Sequence, residues 1–173
     1  PIINLTLLCG IIIEMRNHER MRRQTEQIKE GFRCSHCSGW VATSEYIGTH
    51  HRNHCPSCLW SKHVDLEKAG DRKAKCGAGM EPVGFTFKQE GFDKYGRPRR
   101  GELMLIHHCT NEDCGKISIN RIAGDDNPAT ILRVFEGSQT IDDTLREDIT
   151  KADIKLLTAS DERGIKTQLF GKS

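Results

Sequence analysis

Two hydrophobic rhythms run along the chain, separated by a stretch that has neither. Residues 83–88, VGFTFK, alternate like a half-buried strand, and residues 102–109, ELMLIHHC, read as its antiparallel partner. Residues 116–122, KISINRI, set isoleucines against polar neighbours and predict a third strand. The connection between the first two, QEGFDKYGRPRRG, carries three glycines and a proline and predicts a long hairpin loop. The rhythm then changes. GDDNPATILRVFEG begins a helix that Asn127 can cap, with Pro128 in its first turn and Gly137 as its stop. Residues 140–158 place Ile141, Leu145, Ile149, Ile154 and Leu157 at roughly helical spacing and predict a second helix. SDERGIKTQLFGKS after it reads as a short helix or a loose tail.

The front of the chain is different in kind. Residues 15–30, MRNHERMRRQTEQIKE, are good helix formers with few apolar positions, and Gly31 ends the pattern. Residues 1–13 are apolar but too short for a bilayer span. No basic region precedes them and no small-residue cleavage site follows, so a signal peptide is not expected. Residues 1–14 read as translated upstream sequence or a fragment edge, with a short buried strand as the alternative. The pattern, together with the Cys-x-x-Cys pairs at 34/37 and 55/58, predicts an α+β protein: a small zinc-knuckle domain with a three-stranded antiparallel sheet, then C-terminal helices. The expected divisions are 1–31 (N-terminal extension and basic helix), 32–127 (metal-binding domain) and 128–173 (helical tail).

Composition adds a constraint. Apolar residues are 36%, aromatics 6% and mean hydropathy is −0.57, so the interior is expected to be thin and to need a staple. Eight cysteines are the candidate staples. Without a sign of export, a reducing cytoplasm is the expected setting, and there cysteine pairs favour metal over disulfide. A net charge of +2 is too balanced for a global nucleic-acid argument. Its distribution is uneven: residues 15–30 hold five Lys/Arg against three Glu, while residues 121–173 hold eight against ten acids.

The stretch without rhythm, residues 32–76, holds the ligands. Cys34-x-x-Cys37 and Cys55-x-x-Cys58 stand seventeen residues apart, the spacing of a four-cysteine zinc site. A Cys-x-x-Cys turn lets two thiolates converge on one ion, and two such turns complete a tetrahedron. Structural disulfides or a redox pair are the alternatives; a redox pair would want a βαβ context that the pattern lacks. A second set comprises Cys76, His107, His108, Cys109 and Cys114. The proposed hairpin brings Cys76 and Cys109 together, and Cys109 and Cys114 form a loosened knuckle that Gly115 allows to close. A fourth ligand is needed. His107 shares a strand face with Cys109, because side chains alternate with period two, so it is the expected one.

The remaining histidines of HHRNHCPSCLWSKH, namely His50, His51, His54 and His63, are expected to orient cysteines or bond backbone rather than bind metal. The sharper alternative is a nuclease-like centre on His51, Asn53 and His54, which would require a further metal with open positions. Asp125 and Asp126 read as turn acids at a helix N-terminus. The hairpin loop carries Lys94, Tyr95, Arg97, Arg99 and Arg100, a set suited to phosphate contacts and base stacking; the plainer reading is a solvated tip.

Arg52-Asn53-His54-Cys55-Pro56 resembles the signature of the RNHCP-domain family, small bacterial proteins named for that string. The resemblance runs from about Phe32 to Asn127. It includes FRCSHCSGWV, HHRNHCPSCLWSKHVD, GDRKAKCGAGMEPV, IHHCTNEDCG and NRIAGDDNP. It implies a zinc-finger-type domain with ligands at Cys34, Cys37, Cys55, Cys58, Cys76, His107, Cys109 and Cys114. The family's last knuckle is usually Cys-x-x-Cys-Gly, whereas four residues separate Cys109 from Cys114 here. Two structural zincs are therefore expected, in a bacterial cytoplasmic protein. The first functional expectation is an RNA-binding or translation-associated module, with RNA or the ribosome as its partner. A metal-dependent nuclease or hydrolase and a protein-interaction adaptor are the alternatives.

Overall fold

The computed structural model describes residues 31–43, 52–68, 70–92 and 94–171, with the side chains of Pro98 and Arg100 outside that set. The expected helix at 15–30, along with His50 and His51, lies outside the described residues.

The fold is α+β with antiparallel sheets, but the strands form two sheets instead of one three-stranded sheet. A small hairpin pairs β1 (Gly31–Arg33) with β2 (Trp40–Ala42). The main sheet runs β3 (Ser61–Lys62), β4 (Gly79–Phe92), β5 (Pro98–Cys109) and β6 (Ile117–Arg121), each antiparallel to its neighbour. β3 is the strand that periodicity misses: two residues leave no alternation to read. β4 and β5 are far longer than expected. Most of the anticipated loop is ladder, pairing through to Phe92 and Pro98 with irregularities near Gly84, Gln89 and Phe92. Bulges absorb Gly91 and Gly101, two of the three glycines that read as loop signals, and Gly96 lies in the tip turn.

Three helices follow: α1 (Pro128–Ser138), α2 (Asp143–Lys151) and α3 (Glu162–Phe170). Asn127 caps α1 as expected, accepting from the N–H groups of Ala129 at 2.9 Å and Thr130 at 3.2 Å. Gly137 lies inside the last turn instead of ending it. The helix expected over 140–158 is shorter, because Asp153 takes a left-handed φ of 58° and turns the chain. Ile154 to Leu157 then run as neither helix nor strand, and the Leu157 N–H donates to the Phe85 carbonyl at 2.9 Å. Among the described residues no helix is long and apolar enough to cross a membrane.

The sheet is covered on both faces. Phe85, Leu103 and Leu105 pack with Leu59, Ile131 and Phe135 of α1, Leu157, and Ile165 of α3. On the other face Val83 and Ile106 pack with Ile149 of α2, flanked by Ile141, Leu145, Ile154 and Leu156. The segment read as a tail thus supplies much of the interior. A third, small cluster holds Cys34, Val41 and Cys55 with Phe32, Cys58 and Trp60. It has too few apolar side chains to hold itself together, and it surrounds the first set of cysteines.

Candidate metal centres

Four thiols converge where the small hairpin meets the chain after Arg52. The sulfurs of Cys34, Cys37, Cys55 and Cys58 all lie within 4.8 Å of one another. Cys34 and Cys58 are 3.6 Å apart, as are Cys37 and Cys55. A disulfide would need about 2.05 Å. A tetrahedron with metal–sulfur bonds of about 2.3 Å has edges of about 3.8 Å, which is close to what is observed.

The two turns are built alike. The N–H of Cys34 donates to the Gly39 carbonyl, and that of Cys55 to the Trp60 carbonyl, each at 2.9 Å. Ser38 and Leu59, each following a second cysteine, take left-handed φ values of 61° and 64°. That conformation is costly for Leu59, and burial of its side chain beneath the main sheet offsets the cost.

The second set is His63, Cys76, Cys109 and Cys114, whose ligand atoms also lie within 4.8 Å of one another. Cys76 and Cys109 sulfurs are 3.7 Å apart, and Cys114 Sγ is 3.4 Å from His63 Nδ1. Both separations suit edges of a mixed sulfur–nitrogen tetrahedron, about 3.8 and 3.6 Å. The third turn solves the problem of its two extra residues. Its closing bond runs from the Cys109 N–H to the Lys116 carbonyl, and the tight turn begins at Asn111, whose carbonyl accepts from the Cys114 and Gly115 N–H groups. Gly115, with φ 52°, is left-handed like Ser38 and Leu59 after their knuckles. The Asn111 amide also donates toward Cys76 Sγ at 3.5 Å.

The expected fourth ligand was His107, and the structure corrects it to His63. Sharing a strand face does not put two side chains on one ion, because residues i and i+2 stand roughly 6.6 Å apart along a strand. His107 is fully buried one step deeper. Its Nε2 donates to the Leu59 carbonyl at 2.7 Å, and its Nδ1 accepts from the Asn120 amide at 2.9 Å. His63 instead follows β3, and its carbonyl accepts from Gly77 N–H, which draws it beside Cys76. Seeing this in the sequence would have required the two-residue β3. His108, the other histidine weighed, is half-buried on the opposite strand face.

The electrostatics of each set are uneven before a metal binds. The Gly39 N–H helps hold the Cys37 thiol down at about 7, and the Ala78 N–H and Asn111 amide hold Cys76 at about 6. Burial pushes Cys109 up to about 11 and also raises Cys55 and Cys58. A divalent ion would displace the protons from those buried thiols, so its affinity rises with pH.

The histidine-rich signature now has an assignment for each described residue. Arg52 is buried and grips Asp125 with two nitrogens, at 2.7 and 2.5 Å, and Asp126 at 2.9 Å. His54 Nε2 meets both Asp126 oxygens, at 2.9 and 3.1 Å. Asn53 offers its carbonyl to the Ser61 hydroxyl, and Pro56 its carbonyl to the Asn127 N–H. Thr130 Oγ1 donates to the Ser57 carbonyl at 2.9 Å, so α1 sits with its N-terminus on the second knuckle. Asp125 and Asp126 are therefore the partners of the signature segment, more than acids at a helix end. His36, outside it, stacks flat on Trp60 at 4.0 Å.

Of the basic set, Lys94, Tyr95, Arg97 and Arg99 lie on the outer end of the β4–β5 hairpin. Arg100's side chain lies outside the described residues. Lys94 Nζ is 5.0 Å and Arg97 Cζ 5.8 Å from the centre of the Tyr95 ring.

Fold and site together define a class: an α+β protein whose loops are gathered by two four-ligand, sulfur-rich sites able to hold two metal ions. The model of the RNHCP domain matches residues 29–132, more than half of the chain, and the chain belongs to that family. No curated protein and no solved structure matches it.

Proposed function

We propose that this chain is a zinc-stapled binding module that presents its β4–β5 hairpin to nucleic acid, RNA above all. Zinc is favoured by the donors: one set of four thiolates and one of three thiolates and an imidazole, both typical of structural zinc. Nothing in either set leaves an open coordination position of the kind a catalytic metal uses.

The observation that carries the binding reading is the arm itself. Beyond Phe87 the hairpin leaves the covered part of the sheet, and Lys88 to Phe92 are exposed throughout. Phe92 and Tyr95 are each 71% exposed. Residues 88–100 carry five Lys/Arg against two acids. Aromatic faces ringed by cations suit bases and phosphates. A reducing cytoplasm would keep the thiolates available.

Changing Lys94, Arg97 and Arg99 together to Ala tests this. Affinity for single-stranded RNA should fall, and the slope of log K against log salt should flatten by roughly two to three. Metal content and melting temperature should not change. An unaltered slope, or binding that ignores salt, would contradict the proposal.

A further inference from the structure

The opposite end of β4 carries a second basic feature. A cleft of about 350 Å³ opens between the first metal-binding turn and the segment after the second. Phe32 and Trp60 form part of its wall, with Arg33, Arg52, Lys62 and Arg72 around it. No Asp or Glu lines it among the described residues. The larger cleft beside His63 contrasts with it: Asp65, Glu67 and Asp153 share that lining with lysines, so no single charge is favoured there.

Two further facts point to an anion. Arg52 has a side chain only 1% exposed, yet its Nε is buried with no hydrogen-bond acceptor among the described residues. Its other nitrogens are held by Asp125 and Asp126, which fixes the guanidinium in the wall. Arg72 is half exposed and pairs with Asp65 at 3.8 Å, longer than a hydrogen bond, so most of its five N–H donors are left for a second anion. A concave site with an aromatic wall, three cations outside the Asp125–Asp126 grip (Arg33, Lys62 and Arg72) and no Asp or Glu in its lining complements a planar ring that carries a phosphate.

We infer that this cleft binds a nucleotide, its base against Phe32 and Trp60 and its phosphate toward Lys62, Arg72 and Arg33. Thirteen residue steps of β4 separate Gly79, paired with Lys62, from Phe92 at the arm's end, on the order of 40 Å. The cleft is therefore a separate site and does not depend on the arm. A free nucleotide and an unpaired residue of a strand present the same recognised chemistry.

The test uses the full-length, metal-loaded protein with Trp40→Phe, so that Trp60 alone reports. Nucleoside monophosphates should quench its fluorescence saturably. Lys62→Glu with Arg72→Glu should weaken that binding at least tenfold at unchanged metal content. The arm variant Lys94→Ala/Arg97→Ala/Arg99→Ala should leave it intact, even if that variant shows the arm reading to be wrong. An oligonucleotide that competes more strongly than the monomer would identify a strand as the source; a weaker one would identify the free nucleotide. Absence of saturable quenching or of heat in titration calorimetry at millimolar nucleotide overturns the inference. So does equal affinity after charge reversal, or inorganic phosphate binding as tightly as the nucleotide. If the double variant loses metal, Arg72→Glu alone makes the same comparison.

Discussion

Arg52 shows how much one side chain can decide. It is buried, and Asp126 beside it has a side chain with no exposure at all. Replacing Arg52 with Met leaves a buried carboxylate without its main counter-charge, so stability should fall by about 3–5 kcal/mol in urea unfolding. His107 gives a prediction in pH. Burial, chiefly, lowers its pKa to about 4, against about 6.5 for an unfolded histidine. Between those values the unfolded chain binds more protons, so this histidine makes stability rise with pH across that window. Acidification from neutrality to pH 4 should cost about 3 kcal/mol through this residue. His107→Gln should flatten the slope of unfolding free energy against pH in that window, measured with zinc in excess. An unchanged slope would show that His107 does not titrate as its burial implies.

At the scale of elements, the β4–β5 hairpin depends on close backbone approach near its root. A Cβ on Gly101 would run into the Lys88 carbonyl oxygen and the Glu90 side chain. Gly101→Ala should therefore disturb the ladder where the arm leaves the sheet, at roughly 1–3 kcal/mol, with amide exchange quickening from Lys88 to Arg100. Nearby, α3 closes the open backbone of β5. The Gln168 amide accepts from the Leu103 N–H at 2.7 Å and donates to the Gly101 carbonyl at 2.8 Å.

Elements with a repeating signal were legible in the sequence. The alternation in VGFTFK and KISINRI located β4 and β6, and Asn127–Pro128 located the start of α1. What escaped notice depends on partners distant in the chain. β3 exists because Ser61 and Lys62 meet Met80 and Gly79, and no local pattern announces that. The arm read as a loop because Gly91 and Gly101 sit at bulges, where glycine is as welcome as in turns, and Gly96 alone marks the tip. α2 ends early because Asp153 turns the chain toward the sheet edge, which no spacing of Ile154 and Leu157 reveals. In the first metal set, Cys-x-x-Cys spacing named all four residues. In the second it named the three cysteines and missed His63, because that histidine is placed by β3.

The whole molecule is held in two ways. Helices on both faces of the main sheet give it an ordinary interior built from Phe85, Leu105, Ile131, Ile149 and Ile165. Among the described residues, the loops before and beside that sheet have the small cluster around Cys34, Val41 and Cys55 and the two sulfur-rich sets, which could hold metal ions. Structural zinc contributes an apparent ~10–16 kcal/mol in zinc-finger peptides, comparable to or above the ~5–15 kcal/mol net stability of a typical domain. Stripping the metal should therefore release residues 31–78 and 109–116 first, while the helices over β4 and β5 retain part of their protection from amide exchange. The direct measurement is elemental analysis of the purified protein alongside a thiol count under native conditions. Two zinc ions per chain, with the seven cysteines of the two sets unreactive until a chelator is added, is the predicted result. A folded protein without metal, or one whose sulfurs are joined as disulfides, would contradict the account.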